Sequence, residues 1–82
     1  MLTVSVVSPE RTLYEGQAES IVAPAFDGQV GILTNHAPML TLLGSGELRL
    51  SGGGAERTFK VAGGFLEVAD NRVRIVTERA EG

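Results

Sequence analysis

An all-β fold, a small two-sheet β-sandwich of about eight to ten short strands, is what the sequence predicts on three observations. Apolar and polar residues alternate at period two in several short runs. Nowhere do apolar residues recur at helical spacing over the roughly eleven residues that a helix needs. Eleven glycines punctuate the 82 residues at strand-length intervals, where turns and bulges belong. A flattened barrel satisfies the same observations. Residues 1–82 are read as a single domain, because two cores in so short a chain would each fall short of burying the roughly 60% of unfolded surface that a small domain buries. With 43% apolar and 21% charged residues the chain lies far from disordered compositions.

Taken in order, Leu2, Val4 and Val6 alternate with Thr3 and Ser5, which gives a half-buried strand over 2–6. Ser8-Pro9-Glu10 interrupts it. A short strand over 12–15 closes at Gly16, and another over 18–23 ends at Pro24, which lacks the N–H that a ladder uses. Asp27-Gly28 favours a tight hairpin because both residues tolerate positive φ. The next strand passes through Gly31 to Ile32 and Leu33. Thr34-Asn35-His36-Ala37-Pro38 then breaks the run, since Asn35 accepts the left-handed conformation and Pro38 holds Ala37 extended. Met39-Leu40-Thr41-Leu42-Leu43 resumes it. These apolar residues lack clean alternation and cannot all enter one core, so some lie between sheets or cover a partner.

Gly44-Ser45-Gly46 supplies a bend, and the run over 47–50 alternates with Leu48 and Leu50 inward. Ser51-Gly52-Gly53-Gly54 is too short for a domain linker and reads as a loose hairpin connection. A strand over 56–61 returns, Gly63-Gly64 marks a bulge or a close backbone crossing, and a further strand covers 65–68. After the Asp70-Asn71 turn, the last strand, over 72–77, sets Val73 and Ile75 opposite Arg72 and Arg74. The two arginines read as a solvated outer face.

The composition excludes several function classes. The chain has no cysteine, which removes disulfides, thiolate nucleophiles and sulfur metal ligands and suits a reducing compartment. One histidine and scattered carboxylates do not make a metal site. His36, Asp27 and a serine are the raw material of a hydrolytic triad, but no serine sits in the Gly-x-Ser-x-Gly turn that exposes a nucleophile. The glycine-rich stretches precede neither Lys-Ser/Thr nor a helix, so nothing marks a phosphate loop. No catalytic residue, cofactor or metal is expected. A net charge of −3 and only four aromatics, Tyr14, Phe26, Phe59 and Phe65, argue against nucleic acid. No apolar run approaches the roughly 20 residues that span a bilayer, and the N-terminus lacks a signal-peptide pattern.

Function therefore concentrates in the segment from Asp27 to Leu43. Its Gly28-Gln29-Val30-Gly31-Ile32-Leu33-Thr34-Asn35-His36-Ala37-Pro38-Met39-Leu40-Thr41 resembles the Gly-Glu/Asp-x-Gly-Ile-x-Pro-Gly-His-Ala-Pro-Leu-Leu-Thr of F-type ATP synthase epsilon subunits. Gly63-Gly64-Phe65-Leu66-Glu67-Val68 before Asp70-Asn71 is similar to a second signature of that family, Gly-Gly-Phe/Ile-x-Glu-Val. Val6-Val7-Ser8-Pro9 and Gly46 fit as well, so the resemblance covers residues 2–77.

The resemblance implies a β-sandwich that is a non-catalytic rotor subunit of the proton-translocating ATP synthase. It would stand at the foot of the central stalk, bind gamma and the c-ring, and couple rotation to ATP synthesis on the alpha/beta complex, which it meets only indirectly. Ser8, His36, Met39, Thr41 and Leu42 would face gamma. Asp27, Gly28 and Gln29 would meet the polar loops of the c-ring. The expected location is peripheral, on the cytoplasmic face of a bacterial plasma membrane, without direct insertion.

Gln29 stands where the family has an acid, and Thr34-Asn35 stand where it has Pro-Gly. Family members continue into a two-helix C-terminal domain, whereas this sequence ends at Gly82. A short form without inhibition by those helices, and without their ATP site, is the expectation. A lipoyl-type carrier is the rival reading. It needs a lysine at the tip of a tight hairpin, and the single lysine, Lys60, falls inside an expected strand.

Overall fold

The computed structural model describes residues 1–54 and 56–81. Among them lie eight strands and no helix: β1 (Leu2–Val7), β2 (Thr12–Ala18), β3 (Ser20–Ala25), β4 (Gly28–Leu33), β5 (Met39–Leu42), β6 (Ser45–Ser51), β7 (Arg57–Ala69) and β8 (Arg72–Glu81). They form one hydrogen-bonded path, β2-β1-β8-β7-β6-β3-β4, with β5 also on β7. Neighbours pair antiparallel except β1 and β8, which run parallel from Thr3 opposite Arg72 to Val7 opposite Val76.

The sandwich arises because this path is creased. Side chains of a strand alternate between faces, so the inward residues of a straight strand share one parity. In β7 the buried residues are Phe59 and Val61 before Gly63-Gly64, but Leu66 and Val68 after it. The change of face is made by the two glycines, whose φ values of 73° and 105° are unfavourable for side-chain-bearing residues. The neighbouring strands change face alongside. β5 leads into buried Leu43, whereas β6 buries Leu48 and Leu50. β8 passes from buried Val73, Ile75 and Thr77 to Ala80, which packs on the same core.

Main-chain bonds hold the crease together. The Leu43 N–H donates to Gly64 O at 3.0 Å, and the Gly63 N–H donates to Gly44 O at 3.3 Å. Thr77, opposite Gly64, is the buried polar residue here; its hydroxyl donates to Arg79 O at 2.7 Å, with Gly63 O 3.1 Å away. On one side of the crease lie β2, β1, β5 and the adjoining halves of β7 and β8; on the other lie β6, β3, β4 and the remaining halves. Leu2, Val4, Phe59, Ile21, Leu66 and Ile75 from the two sides belong to one buried cluster. Arg57 lies over both the Phe59 and Tyr14 rings, 5.1 and 5.8 Å from their centroids, and so links β7 to β2.

The all-β sandwich expected from the sequence is the fold observed, with several boundaries moved. Gly16 does not end β2, which continues to Ala18; Tyr14 fills the place of the missing Cβ and donates its hydroxyl to Gln17 O at 3.1 Å. β3 starts at Ser20 and runs through Pro24, because its ladder with β6 ends at Val22 and the missing N–H interrupts nothing there. The two strands expected around Gly63-Gly64 are one strand of 13 residues, and its register against β8 is unbroken, so the glycines make a crease rather than a bulge. The β3–β4 turn is formed by Phe26 and Asp27, with the positive φ, 133°, on Gly28 alone.

The crease predicts a sharp contrast between two glycines. A Cβ on Gly64 would strike Val76 O and stand 2.7 Å from Thr77 Cα, whereas nothing lies within 4 Å of one on Gly31. Urea denaturation of Gly64→Ala is expected to show a loss of about 3 kcal/mol or more, with Gly31→Ala within about 1 kcal/mol of the parent.

Candidate functional site

Which side chains the sandwich offers outward follows from the parity on each side of the crease. In β5, Met39 packs against the core and Thr41 is half-buried, while Leu40 and Leu42 point away and are 69% and 61% exposed. Strand register extends this outward set. Leu42 stands opposite Phe65, Phe65 opposite Val76, and Val76 opposite Val7, which makes an apolar row across four strands. One step along, Leu40 is opposite Glu67 and Glu67 opposite Arg74. Ser8 follows Val7 directly and closes the β1–β2 turn, its N–H donating to Arg11 O at 2.9 Å.

The other outer face is different in kind. Lys60 stands between Glu47 and Glu81, Arg49 lies opposite Thr58, and an exposed ion pair joins Arg49 to Glu47 at 3.7 Å. Such a pair contributes little to stability, and the face reads as solvated. Lys60 is thus an exposed mid-strand residue with cross-strand acidic neighbours, and the hairpin-tip lysine of a lipoyl-type carrier has no counterpart.

The β3–β4 hairpin tip is fastened beside the apolar row. The Phe26 N–H donates to Leu42 O at 3.1 Å, the Gly44 N–H donates to Pro24 O at 2.9 Å, and Ala25 bridges to Leu43. Asp27, Gly28 and Gln29 are exposed on this tip, and Phe26 is 68% exposed. The two surfaces separated in the sequence reading, one around Leu42 and one at Asp27-Gly28-Gln29, are therefore adjacent.

His36 lies elsewhere. It is half-buried in the β4–β5 loop, at the end of β5 remote from Leu42, a strand length of about 13 Å. Its N–H donates to Leu33 O at 3.1 Å, and its Nδ1 is 2.7 Å from Ala37 O. It shares a shallow depression with Asp70 and Asn71 rather than with Asp27, so the histidine and aspartate of a notional triad sit at opposite ends of β5. Among the described residues no three His, Cys, Asp or Glu side chains converge as metal ligands. Of the residues singled out in the sequence, Leu42, Ser8 and the Asp27 tip border the outward row; Met39 and Thr41 support it from the inner side. Leu40 was left open between core and partner-facing, and Phe65 and Phe26 were not singled out. Parity was the available signal for the first: once Leu43 is taken as core, Leu40 and Leu42 must point out.

Comparison with known proteins gives the family and the fold. The family described as "ATP synthase, Delta/Epsilon chain, beta-sandwich domain" matches residues 1–82. The ATP synthase epsilon chain of Leptospira borgpetersenii serovar Hardjo-bovis is 48% identical over 77 residues, 94% of this chain and 61% of that one. The ATP synthase epsilon chain of a Synechococcus strain is 44% identical over 80 residues, 98% of this chain and 58% of that one. The chain thus spans about three fifths of the length of these relatives. In fold it is similar to a chain of the Euglena gracilis mitochondrial ATP synthase, with a TM-score of 0.87 at 22% identity, covering 98% of this chain and 52% of that one. A chain of the Tetrahymena thermophila mitochondrial ATP synthase central stalk and c-ring gives 0.80 at 19% identity, covering 98% and 65%.

If Leu40 and Leu42 are surface residues, replacing both with serine leaves stability within about 1 kcal/mol in urea denaturation, whereas Leu43→Ala, which empties a buried site, costs about 2–5 kcal/mol.

Proposed function

Since the chain belongs to the ATP synthase delta/epsilon-chain β-sandwich family, we propose that it serves as the β-sandwich of an epsilon subunit: a non-catalytic rotor element that binds gamma and the c-ring and couples ion-driven rotation to ATP synthesis on alpha and beta. One observation carries the docking part of this reading. The apolar row of Leu42, Phe65, Val76 and Val7, flanked by Leu40, lies on the outer face of a sandwich whose opposite face carries Glu47, Arg49, Lys60 and Glu81 along with the exposed Val22 and Leu33. Leu40 and Leu42 are exposed and the rest of the row is half-buried, an apolar surface reaching solvent of the kind that marks an interaction site.

Gamma covers this row, with Ser8 and Leu42 at its margins and His36 as a separate contact at the far end of β5. Met39 and Thr41 act from beneath by fixing the height of Leu40 and Leu42. The c-ring meets the hairpin tip, where Asp27 offers a carboxylate to basic groups of its polar loops. Gln29 supplies a neutral hydrogen bond, weaker by about half than the charge-assisted one an acid would make. Phe26, at the junction of the two contacts, is the apolar anchor of the tip. The subunit needs no reactive group, because its task is to transmit torque through a close-packed body. Among the described residues no helix is long and apolar enough to cross a membrane, and attachment through the c-ring gives a peripheral location at the cytoplasmic face of a bacterial plasma membrane.

The test is co-elution with the gamma subunit of the same complex on size-exclusion chromatography. The parent protein is expected to co-elute. Leu42→Asp, folded by circular dichroism, should bind at least about tenfold more weakly, since gamma would bury an unpaired charge at the end of the row beside the hairpin tip. His36→Asp should have a smaller effect. A disulfide between Asp27→Cys and a cysteine placed in the polar loop of c tests the second contact. Gamma binding that is indifferent to Leu42→Asp would remove the apolar row from the interface.

A further inference from the structure

The β4–β5 loop that carries His36 is tied to the rest of the sandwich by a side-chain contact unlike the others. Apart from Thr77 at the crease, the other side-chain hydrogen bonds among the described residues join positions within four of one another. Asn35 and Asn71 are 36 residues apart, and they bond twice. The Asn35 N–H donates to Asn71 Oδ1 at 2.6 Å, and Asn71 Nδ2 donates to Asn35 Oδ1 at 3.2 Å.

The backbone conformations at both ends make this pairing informative. Asn35 has φ 68° and Asn71 φ 60°, so glycine would occupy either position with less strain. What asparagine adds over glycine is the amide. Asn71 is itself anchored, because the Thr3 N–H donates to its carbonyl at 2.8 Å and the flanking residues Ala69 and Arg72 pair across the β7–β8 turn. The loop over 34–38 has little internal support: the His36 N–H bond to Leu33 O and the contact of His36 Nδ1 with Ala37 O. Pro38 contributes no N–H at all.

We propose that Asn71 is a positioning residue for the partner-docking surface. Its amide clasps Asn35, fixes the loop over 34–38, and so sets His36 and the start of β5 in the shape presented to gamma. The proposal rests on the reading of this loop as gamma-facing. Holding the loop before contact removes the cost of ordering it on binding. The device suits this sequence, in which Thr34-Asn35 carry neither the ring of proline nor the freedom of glycine.

Amide hydrogen exchange and gamma titration on the same protein provide the test. Asn71→Gly accepts φ 60° and deletes both bonds, Asn71→Asp keeps the Oδ1 acceptor, and Asn35→Gly keeps its backbone N–H while losing one bond. In Asn71→Gly the Asn35 amide should exchange about tenfold faster, with Leu66 and Ile75 in the core unchanged, and gamma affinity should fall roughly three- to tenfold. Asn71→Asp and Asn35→Gly should fall between this variant and the parent on both measures. An unchanged Asn35 exchange rate in Asn71→Gly overturns the clasp. Faster exchange with undiminished gamma affinity, in a protein whose binding still responds to Leu42→Asp, overturns the positioning role. If the parent protein does not bind gamma, the docking reading falls, and the exchange rates alone decide whether Asn71 holds the loop.

Discussion

Two consecutive positive-φ residues, Gly63 and Gly64, decide what is inside this molecule and what is outside. Every strand crossing the crease must exchange its faces there, and β7, β8 and the β5–β6 pair do so together because main-chain bonds hold them side by side. Without that exchange, Leu66 and Val68 could not share a core with Phe59 and Val61. The demand is local and severe, since the carbonyl of Val76 and the Cα of Thr77 occupy the space where any side chain on Gly64 would go. Thr77 completes the arrangement with a hydroxyl that donates to Arg79 O and lies 3.1 Å from Gly63 O, so that the buried polar side chain at the crease is satisfied.

The same exchange of faces sorts the outer surface. On the β5 side the outward positions gather Leu42, Phe65, Val76 and Val7 into a row, and on the β6 side they gather Glu47, Lys60 and Glu81. The second face also exposes Val22 and Leu33, on β3 and β4. The hairpin tip joins the first face through the bonds from Phe26 to Leu42 and from Gly44 to Pro24. In the proposed reading this connection would couple the gamma and c-ring contacts, because displacement of one would pass to the other through hydrogen-bonded main chain.

The fold was legible where alternation was clean. Leu2, Val4 and Val6, Leu48 and Leu50, and Val73 and Ile75 are all buried as period two requires. It was illegible where tertiary context overrides local preference. Pro24 and Gly16 look like strand ends, but one sits where the second ladder has already stopped and the other is covered by Tyr14. Gly63-Gly64 was recognisable as a special position, but nothing local distinguishes a bulge from a crease, because the difference lies in the register of β8. In the candidate site, the sequence pointed to Leu42, Ser8, His36 and the Asp27 tip through family resemblance. It left Leu40 undecided and passed over Phe65 and Phe26, because which face each presents is settled only on folding. The Asn35–Asn71 pair was invisible for a similar reason, since only the folded chain brings two turns 36 residues apart into contact.

The parallel pairing of β1 with β8 has a consequence for how the chain comes into being. Thr3 and Val7 find their partners at Arg72 and Val76, with β2 to β7 lying between them in the chain. During synthesis β1 and its hairpin partner β2 emerge before β3 to β7, and only then β8. Pairings of this kind close a long loop before they return any contact energy, which makes folding slow. Until β8 arrives, Leu2, Val4 and Val6 lack the strand beside which they are buried, and that interval is when this small domain is most exposed to aggregation.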